Sequence, residues 1–277
     1  MELLCRAEPA RGLYQQRKPL AAFGSWVQVD LRDRVAAHRV LDDLRPSTII
    51  HCAACSDPVY CEHHPLEAHS LNLGGTLYIA EWASRHACFL IHLSTDLVFD
   101  GKRGDYREED EPHPISVYGW TKLAAELAVR SSNTPHAVIR TSLIYGRSMG
   151  GNRGADEKLV SSWKEGKETP LFLDEYRNPT AVGELAQVII EIARRSMTGI
   201  WHVAGAERVS RFELGVKVAG TLGYSENLLV PRRIEELQSI PPRTPNTTLN
   251  IDKIRARLGF PFASIETNLR REHGALG

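Results

Sequence analysis

Short apolar runs alternate with longer segments in which apolar residues recur every three or four positions. Val27 to Leu31 reads as the end of a strand, Arg34 to Leu44 as a helix and Thr48 to His51 as a strand. Leu66 to His86 predicts one long amphipathic helix, Cys88 to Leu93 a strand with almost no polar interruption, Thr121 to Arg130 a helix and Val138 to Ile144 a strand. A continuous apolar strand suits a sheet buried on both faces, and strands separated by helices imply parallel pairing. The pattern therefore predicts an α/β fold with a parallel sheet and helices on both of its faces. Beyond Tyr145 the regularity breaks: Leu171 to Leu173, a helix from Val182 to Arg195, a strand from Ile200 to Val203 and a helix from Arg211 to Leu222 interleave with proline-rich turns. Ile240 to Pro245 is expected to be extended, because proline and the residue before it both disfavour helix.

Composition narrows the class without naming a function. A length of 277 residues allows one large domain or one and a half. The balance of 34 basic and 34 acidic residues gives no electrostatic reason to expect nucleic acid or an anionic membrane as partner. No apolar run approaches the roughly 20 residues that span a bilayer, and no signal-peptide pattern is present. Five cysteines without a repeated spacing suit a reducing compartment, so a cytoplasmic protein is expected. Cys52-x-x-Cys55, followed by Cys61, His63 and His64, has the inventory of a zinc cluster. Its position at the end of a strand, among small residues that let a cofactor approach, favours a reading without metal, with His63 and His64 solvated before Pro65.

Candidate chemistry lies at Thr95, Tyr118 and Lys122. Tyr118 and Lys122 are four residues apart at the start of a helix, so their side chains share a face. A nearby ammonium favours phenolate and brings a phenol that titrates near pH 10 closer to the working range. Thr95 follows the apolar run Cys88 to Leu93, which places its hydroxyl at a carboxyl edge, where open α/β sheets hold their ligands.

These residues stand in motifs that resemble the extended short-chain dehydrogenase/reductases, and among them the dTDP-4-dehydrorhamnose reductases. The likeness rests on His51-Cys52-Ala53-Ala54, Asp57 with Cys61-Glu62, Asn72 to Thr76, Ser94 to Gly101, Tyr106 to Asp110 and Tyr118 to Lys122. It continues through Arg140-Thr141-Ser142, Asn178-Pro179-Thr180 and Arg243 to Asn246, nearly the whole chain. A lone Tyr-x-x-x-Lys spacing is common by chance; the ordered set is specific.

The resemblance implies a Rossmann-like, doubly wound parallel sheet, with an NAD(P)-binding domain over residues 1–145. Residues 146–277 would be mainly a substrate-binding lobe with segments returning to the sheet. It also implies NAD(P)H-dependent reduction of a nucleotide-linked 4-keto sugar, the nucleotide sugar being the partner molecule and a homodimer the candidate assembly. Tyr118 would deliver a proton, Thr95 would hydrogen-bond the reacting oxygen, and Lys122 would hold the ribose hydroxyls and favour the ionised phenol. Asp30 and Leu31 would lie at the adenine end, although Asp30 equally fits a helix N-cap before Arg34. Ala53 and Ala54 would line the pyrophosphate and nicotinamide side. Asn72 would hold a water and orient the lysine; the other reading is a buried helix asparagine satisfied by backbone. Asp57 and Arg243 are the substrate-side candidates, Arg243 either reaching a phosphate or lying exposed in a loop. Arg17 and Lys18, with no carboxylate nearby, favour NADPH over NADH.

In this family a strand, a Gly-x-x-Gly-x-x-Gly turn and a helix come first and receive the cofactor pyrophosphate. Met1 to Arg6 resembles the tail of that helix and Ala10 to Tyr14 the second strand, so the first strand and its turn are expected to have no counterpart. Gly146 to Gly154 is expected to be a mobile loop near the substrate rather than a phosphate cradle. Two expectations follow. Either the protein begins upstream of Met1, or it is a non-catalytic NAD(P)-binding or regulatory relative acting as a partner subunit. The regulatory β subunit of methionine adenosyltransferase, which resembles the same reductases, is a case of the second kind. Retention of Thr95, Tyr118 and Lys122 favours the first.

Overall fold

The computed structural model describes residues 10–15, 25–148 and 152–274. Two short parallel strands, β1 (Arg11–Tyr14) and β2 (Ser25–Gln28), precede helix α1 (Arg34–Leu44). Asp33 caps α1, accepting from the Ala36 N–H at 3.0 Å. Asp30 therefore does not serve as the cap; its carboxylate takes the Arg32 N–H at 2.9 Å and the Arg32 guanidinium at 2.6 Å.

Strand β3 (Thr48–His51) leads to two short helices, α2 (Pro58–His63) and α3 (Pro65–His69). The single long helix expected over Leu66 to His86 is divided: Ser70–Gly74 form a π-helical turn, and α4 (Gly75–Arg85) continues from it. A π turn adds a residue without erasing the apolar periodicity on either side, so the pattern alone reads as continuous. Strand β4 (Phe89–Thr95) runs past the apolar stretch, because Ser94 and Thr95 stay in register with Arg140 and Thr141 of β5 (His136–Thr141). Helix α5 (Val117–Arg130) joins them and begins four residues earlier than its Ala-rich portion suggested. The strand expected over Val138 to Ile144 is two, β5 and β6 (Ile144–Tyr145).

The C-terminal elements are α6 (Ala155–Lys164), β7 (Thr169–Phe172), β8 (Tyr176–Arg177), β9 (Thr180–Ala181), α7 (Val182–Arg194) and β10 (Gly199–His202). They are followed by β11 (Val209–Ser210), α8 (Arg211–Leu222), β12 (Leu229–Arg232), α9 (Asp252–Leu258) and α10 (Ile265–His273). Strand β10 rejoins the sheet beside β5, giving a four-stranded parallel order β10-β5-β4-β3.

Successive residues of β4 and β5 face opposite layers, as a strand period of two requires. Ile91 and Ile139 pack on Phe99 and the Leu185, Val188 and Ile192 face of α7. Leu90 and Val138 pack with Leu41, Ile79 and Trp82 of α1 and α4, and that layer also holds Leu13 and Val29 beside β1 and β2. Each of these side chains contributes roughly 1.5–3 kcal/mol through burial, enough to fix which way every strand faces. Among the described residues no hydrogen-bonded ladder joins β1-β2 to the four-stranded sheet. A second core forms from Tyr145, Leu159, Trp163, Leu171, Leu214, Val218 and Leu269.

Met1 to Arg6, and Arg17 and Lys18, lie outside the described residues, as do residues 149–151 of the Gly146 to Gly154 loop. Within that loop the Glu157 carboxylate takes the N–H groups of Ser148, Arg153 and Gly154 at 3.0 Å each. Those donors are committed to capping α6 and are not held out for phosphate.

Candidate active site

Thr95 ends β4 at the carboxyl edge of the sheet. Its hydroxyl accepts from the Leu97 N–H at 3.1 Å and donates to Asp96 Oδ1 at 3.1 Å, which shapes the tight turn Asp96–Val98. The first turn of α5 closes on this turn. Ser116 caps the helix through the Gly119 N–H, and a Cβ on Gly119 would lie 2.3 Å from the Leu97 carbonyl oxygen. Only glycine permits that approach, and it brings Tyr118 within reach of the Thr95 hydroxyl.

Tyr118 and Lys122 both lie on the buried face of α5. The Lys122 ammonium donates to the Leu93 carbonyl at 2.7 Å and faces His92 Nε2 at 3.2 Å. Burial pushes its pKa down to about 8, against the opposing pull of the Glu126 carboxylate. The phenol of Tyr118 behaves differently from the expectation drawn from spacing. Burial pushes it above its ordinary value, the Asp96 charge adds to that, and the neighbouring Thr95 hydroxyl works the other way. The ammonium is engaged by the end of β4, so the helix spacing that places both groups on one face does not by itself lower the phenol.

Asn72, in the π-helical turn, is 1% exposed. It accepts from the Cys55 N–H at 2.7 Å and donates to the Cys55 carbonyl at 3.1 Å and to Thr121 Oγ1 at 2.9 Å. It thus combines a backbone-satisfied asparagine with a tie to the residue preceding Lys122, and holds the loop that carries Ala53 and Ala54 against α5. Ala53 is exposed and Ala54 half-buried just beyond β3. Leu31 is buried against Gly75, where a Cβ would lie 3.2 Å from its own. Asp30 borders an open cleft of about 510 Å³ with Gln15, Gln28 and Arg39, of which the sequence did not single out Arg39.

The substrate-side candidates separate. Asp57 caps α2, accepting from the N–H groups of Val59 at 2.9 Å and Tyr60 at 3.1 Å, while Glu62 accepts from the Val117 N–H at 2.7 Å and ties α2 to the start of α5. Arg243 lies over the Phe172 ring at 4.9 Å with its guanidinium 3.3 Å from Glu175, and its side chain remains 42% exposed. Arg177 reaches the same carboxylate at 3.2 Å. Arg211 belongs to this cluster: burial pushes its guanidinium down, and Glu175 opposes.

Sequence reasoning missed the role of Asp96. Its carboxylate accepts from Ser142 Oγ at 2.9 Å and Thr247 Oγ1 at 2.7 Å, and lies 3.7 Å from Arg177. The runs Ser94 to Gly101 and Arg140-Thr141-Ser142 carried that signal, since each places polar residues at the end of a buried strand. Among the described residues, no group of three or more His, Cys, Asp or Glu side chains could hold a metal ion.

Residues 9–273 match the family model described as the RmlD substrate binding domain. A dTDP-4-dehydrorhamnose reductase of Sinorhizobium fredii is 31% identical over 255 residues, which cover 87% of this chain and 84% of that protein. Methionine adenosyltransferase 2 subunit beta of Bos taurus is 33% identical over 74% of this chain, and the match spans 63% of the length of that subunit. Among solved structures, dTDP-4-dehydrorhamnose reductase from Bacillus anthracis in complex with NADP superposes with a TM-score of 0.86 at 24% identity, covering 96% of this chain and 99% of that one. The fold is therefore the Rossmann-like α/β architecture of these reductases, and the chain belongs to the RmlD substrate binding domain family.

Proposed function

We propose that this chain is an oxidoreductase that uses NADPH or NADH to reduce a nucleotide-linked 4-keto sugar, in the manner of the dTDP-4-dehydrorhamnose reductases. The observation that carries the reading is the placement of Thr95 and Tyr118 together at the carboxyl edge of the sheet, with Lys122 buried one helical turn further on.

The residues fit a nicotinamide dinucleotide. Asp30 borders an open cleft at the adenine end, and the loop after β3 presents the small side chains of Cys52, Ala53 and Ala54. Two of the three Lys122 donors are engaged by Leu93 and His92, which leaves one for a ribose hydroxyl. The nicotinamide, when bound, supplies the hydride that reduces the keto carbon. Thr95 turns its hydroxyl from Asp96 to the keto oxygen and stabilises the negative charge that develops there. Tyr118, whose raised pKa keeps it protonated at neutral pH, delivers its proton to that oxygen. Arg39, beside Asp30, supports NADPH by offering a guanidinium at the adenosine end. Arg243, partly exposed beside the Glu175 carboxylate, and the neighbouring Arg211 offer their guanidinium groups to the nucleotide diphosphate. On this reading residues 146–277, built mainly around the second core, hold the sugar nucleotide, and residues 1–145 hold the cofactor. A cytoplasmic location follows from the substrate class; no helix among the described residues is long and apolar enough to cross a membrane.

The likeness to a methionine adenosyltransferase subunit raises a regulatory reading, but a pure binding partner has no need of Thr95, Tyr118 and Lys122 in this arrangement. Replacing Tyr118 by Phe tests the choice. Reduction of a dTDP-4-keto sugar, followed by loss of NADPH absorbance, should fall by about a hundredfold to ten-thousandfold while cofactor affinity stays within a few-fold. Turnover equal to wild type in Tyr118→Phe would refute the assignment.

A further inference from the structure

We propose that Cys55 and Cys61 are a redox-active thiol pair, a modification site at which a hydroperoxide closes a disulfide against the Tyr118 side of the active site. Cys61 Sγ lies 3.5 Å from Cys55 Sγ and 3.4 Å from the Cys55 carbonyl oxygen. A disulfide holds its sulfurs about 2.05 Å apart, so closure requires an approach of about 1.5 Å between atoms already in contact.

The two thiols are not equivalent. Cys55 is half-buried at the end of the loop that leaves β3, while Cys61 is wholly buried on α2. Burial pushes the Cys61 thiol up and shuts it off from solvent, whereas Cys55 keeps the access that a hydroperoxide needs. Cys55 is therefore the attacking residue and Cys61 the resolving one. The Cys55 thiolate attacks one peroxide oxygen, the O–O bond breaks, and the departing oxygen leaves as water once protonated, giving a sulfenic acid on Cys55. The Cys61 sulfur then attacks the Cys55 sulfur, the S–S bond forms, the S–O bond breaks, and the hydroxide leaves as water with the Cys61 proton. In sum, two thiols and one hydroperoxide give a disulfide and two oxygen products, and two electrons pass from sulfur to oxygen.

The surroundings turn this chemistry into a signal. Cys55, Cys61 and Tyr118 belong to one buried cluster with Ala68, Leu97 and Val117. Asn72 pins the Cys55 backbone at both its N–H and its carbonyl, so the approach of the sulfurs must be taken up by Cys61 and α2. From α2 the shift passes to Tyr118 by contact, and to the start of α5 through the Glu62 bond to the Val117 N–H. On the reductase reading, closure slows turnover.

The experiment uses the full chain carrying Cys52→Ser, which removes the competing Cys52-x-x-Cys55 linkage. It is treated with hydrogen peroxide in small molar excess, alkylated, digested before Asp57 and analysed by mass spectrometry. The cut separates Cys55 from Cys61, so a disulfide appears as two peptides joined with the loss of two hydrogens. The expected result is that joined species, reversed by dithiothreitol and absent in Cys52→Ser/Cys61→Ser, where Cys55 is instead trapped by dimedone. Full alkylation of both cysteines after peroxide, or Cys55 joined only to a second chain, would overturn the proposal. NADPH turnover measured on the same samples should drop at least tenfold on oxidation and recover on reduction. A formed disulfide with unchanged turnover would overturn the coupling to Tyr118. A disulfide in a protein that never reduces a keto sugar would overturn the reductase reading and leave the thiol pair standing.

Discussion

Lys122 is 2% exposed, and its amine holds a proton only up to about pH 8, against 10.5 for the group in water. Between those values the folded chain has released a proton that the unfolded chain keeps. Stability contributed by this group therefore rises with pH across roughly 8 to 10.5, and below about 8 the buried charge costs the fold. The full difference amounts to roughly 3 kcal/mol, reduced in practice by the hydrogen bonds that Lys122 makes to Leu93 and His92. In Lys122→Met the pH dependence should flatten: urea midpoints of the wild type, measured from pH 7.5 to 9.5, should gain on those of the variant. Parallel profiles would show that the lysine is not desolvated as described. His51 does not confuse the test, because burial holds its imidazole down at about 3, so it is neutral throughout that range. The same variant should lose cofactor affinity, since the one donor that Leu93 and His92 leave free serves the ribose.

At the scale of elements, the π-helical turn Ser70–Gly74 matters more than the regular helices around it. It directs Asn72 across to Cys55 and Thr121, joining the loop after β3 to α5. Asn72→Ala leaves a buried N–H and a buried carbonyl without partners, which costs about 1–3 kcal/mol for each group stranded. The expected outcome is a melting temperature lower by several degrees and a raised KM for NADPH with a smaller change in kcat, because the loop bearing Ala53 and Ala54 is released while Thr95 and Tyr118 stay in place. An unchanged KM would place the asparagine outside cofactor binding. This turn also marks where the sequence stopped being legible. Alternating apolar periods located β3, β4, β5, α1, α7 and α8 because burial on one or both faces leaves a periodic trace. The Thr95, Tyr118 and Lys122 constellation was legible as a motif. The inserted residue of the π turn, the extension of β4 through polar Ser94 and Thr95, and the direction of the Lys122 amine depend on partners distant in the chain, and no local pattern records them.

Across the whole molecule, one buried carboxylate links the sheet to the C-terminal segments. Asp96 is 4% exposed and takes hydrogen bonds from Ser142, 46 residues on, and Thr247, 151 residues on, with the Arg177 guanidinium beside it. Arg177 in turn donates to the Thr244 carbonyl at 3.0 Å and to Thr244 Oγ1 at 2.7 Å, so the turn after β4, the end of β8 and the late extended segment meet at one charge pair. Removing one member of a buried pair is worse than removing both, because the survivor keeps an uncompensated charge. Asp96→Ala should therefore lose about 3–5 kcal/mol, on the order of 10 °C in melting temperature for a chain of this size. Arg177→Met should cost as much or more, because it leaves the buried Asp96 carboxylate without its guanidinium, even though Glu175 is still met by Arg243. The double variant Asp96→Ala/Arg177→Met should be more stable than the sum of the two single losses predicts, by roughly 1–3 kcal/mol. Chemical denaturation of the four proteins at one pH closes the cycle. Strict additivity would mean that the two residues stabilise the molecule independently, and that the sheet and the C-terminal segments are held by their apolar cores rather than by this link.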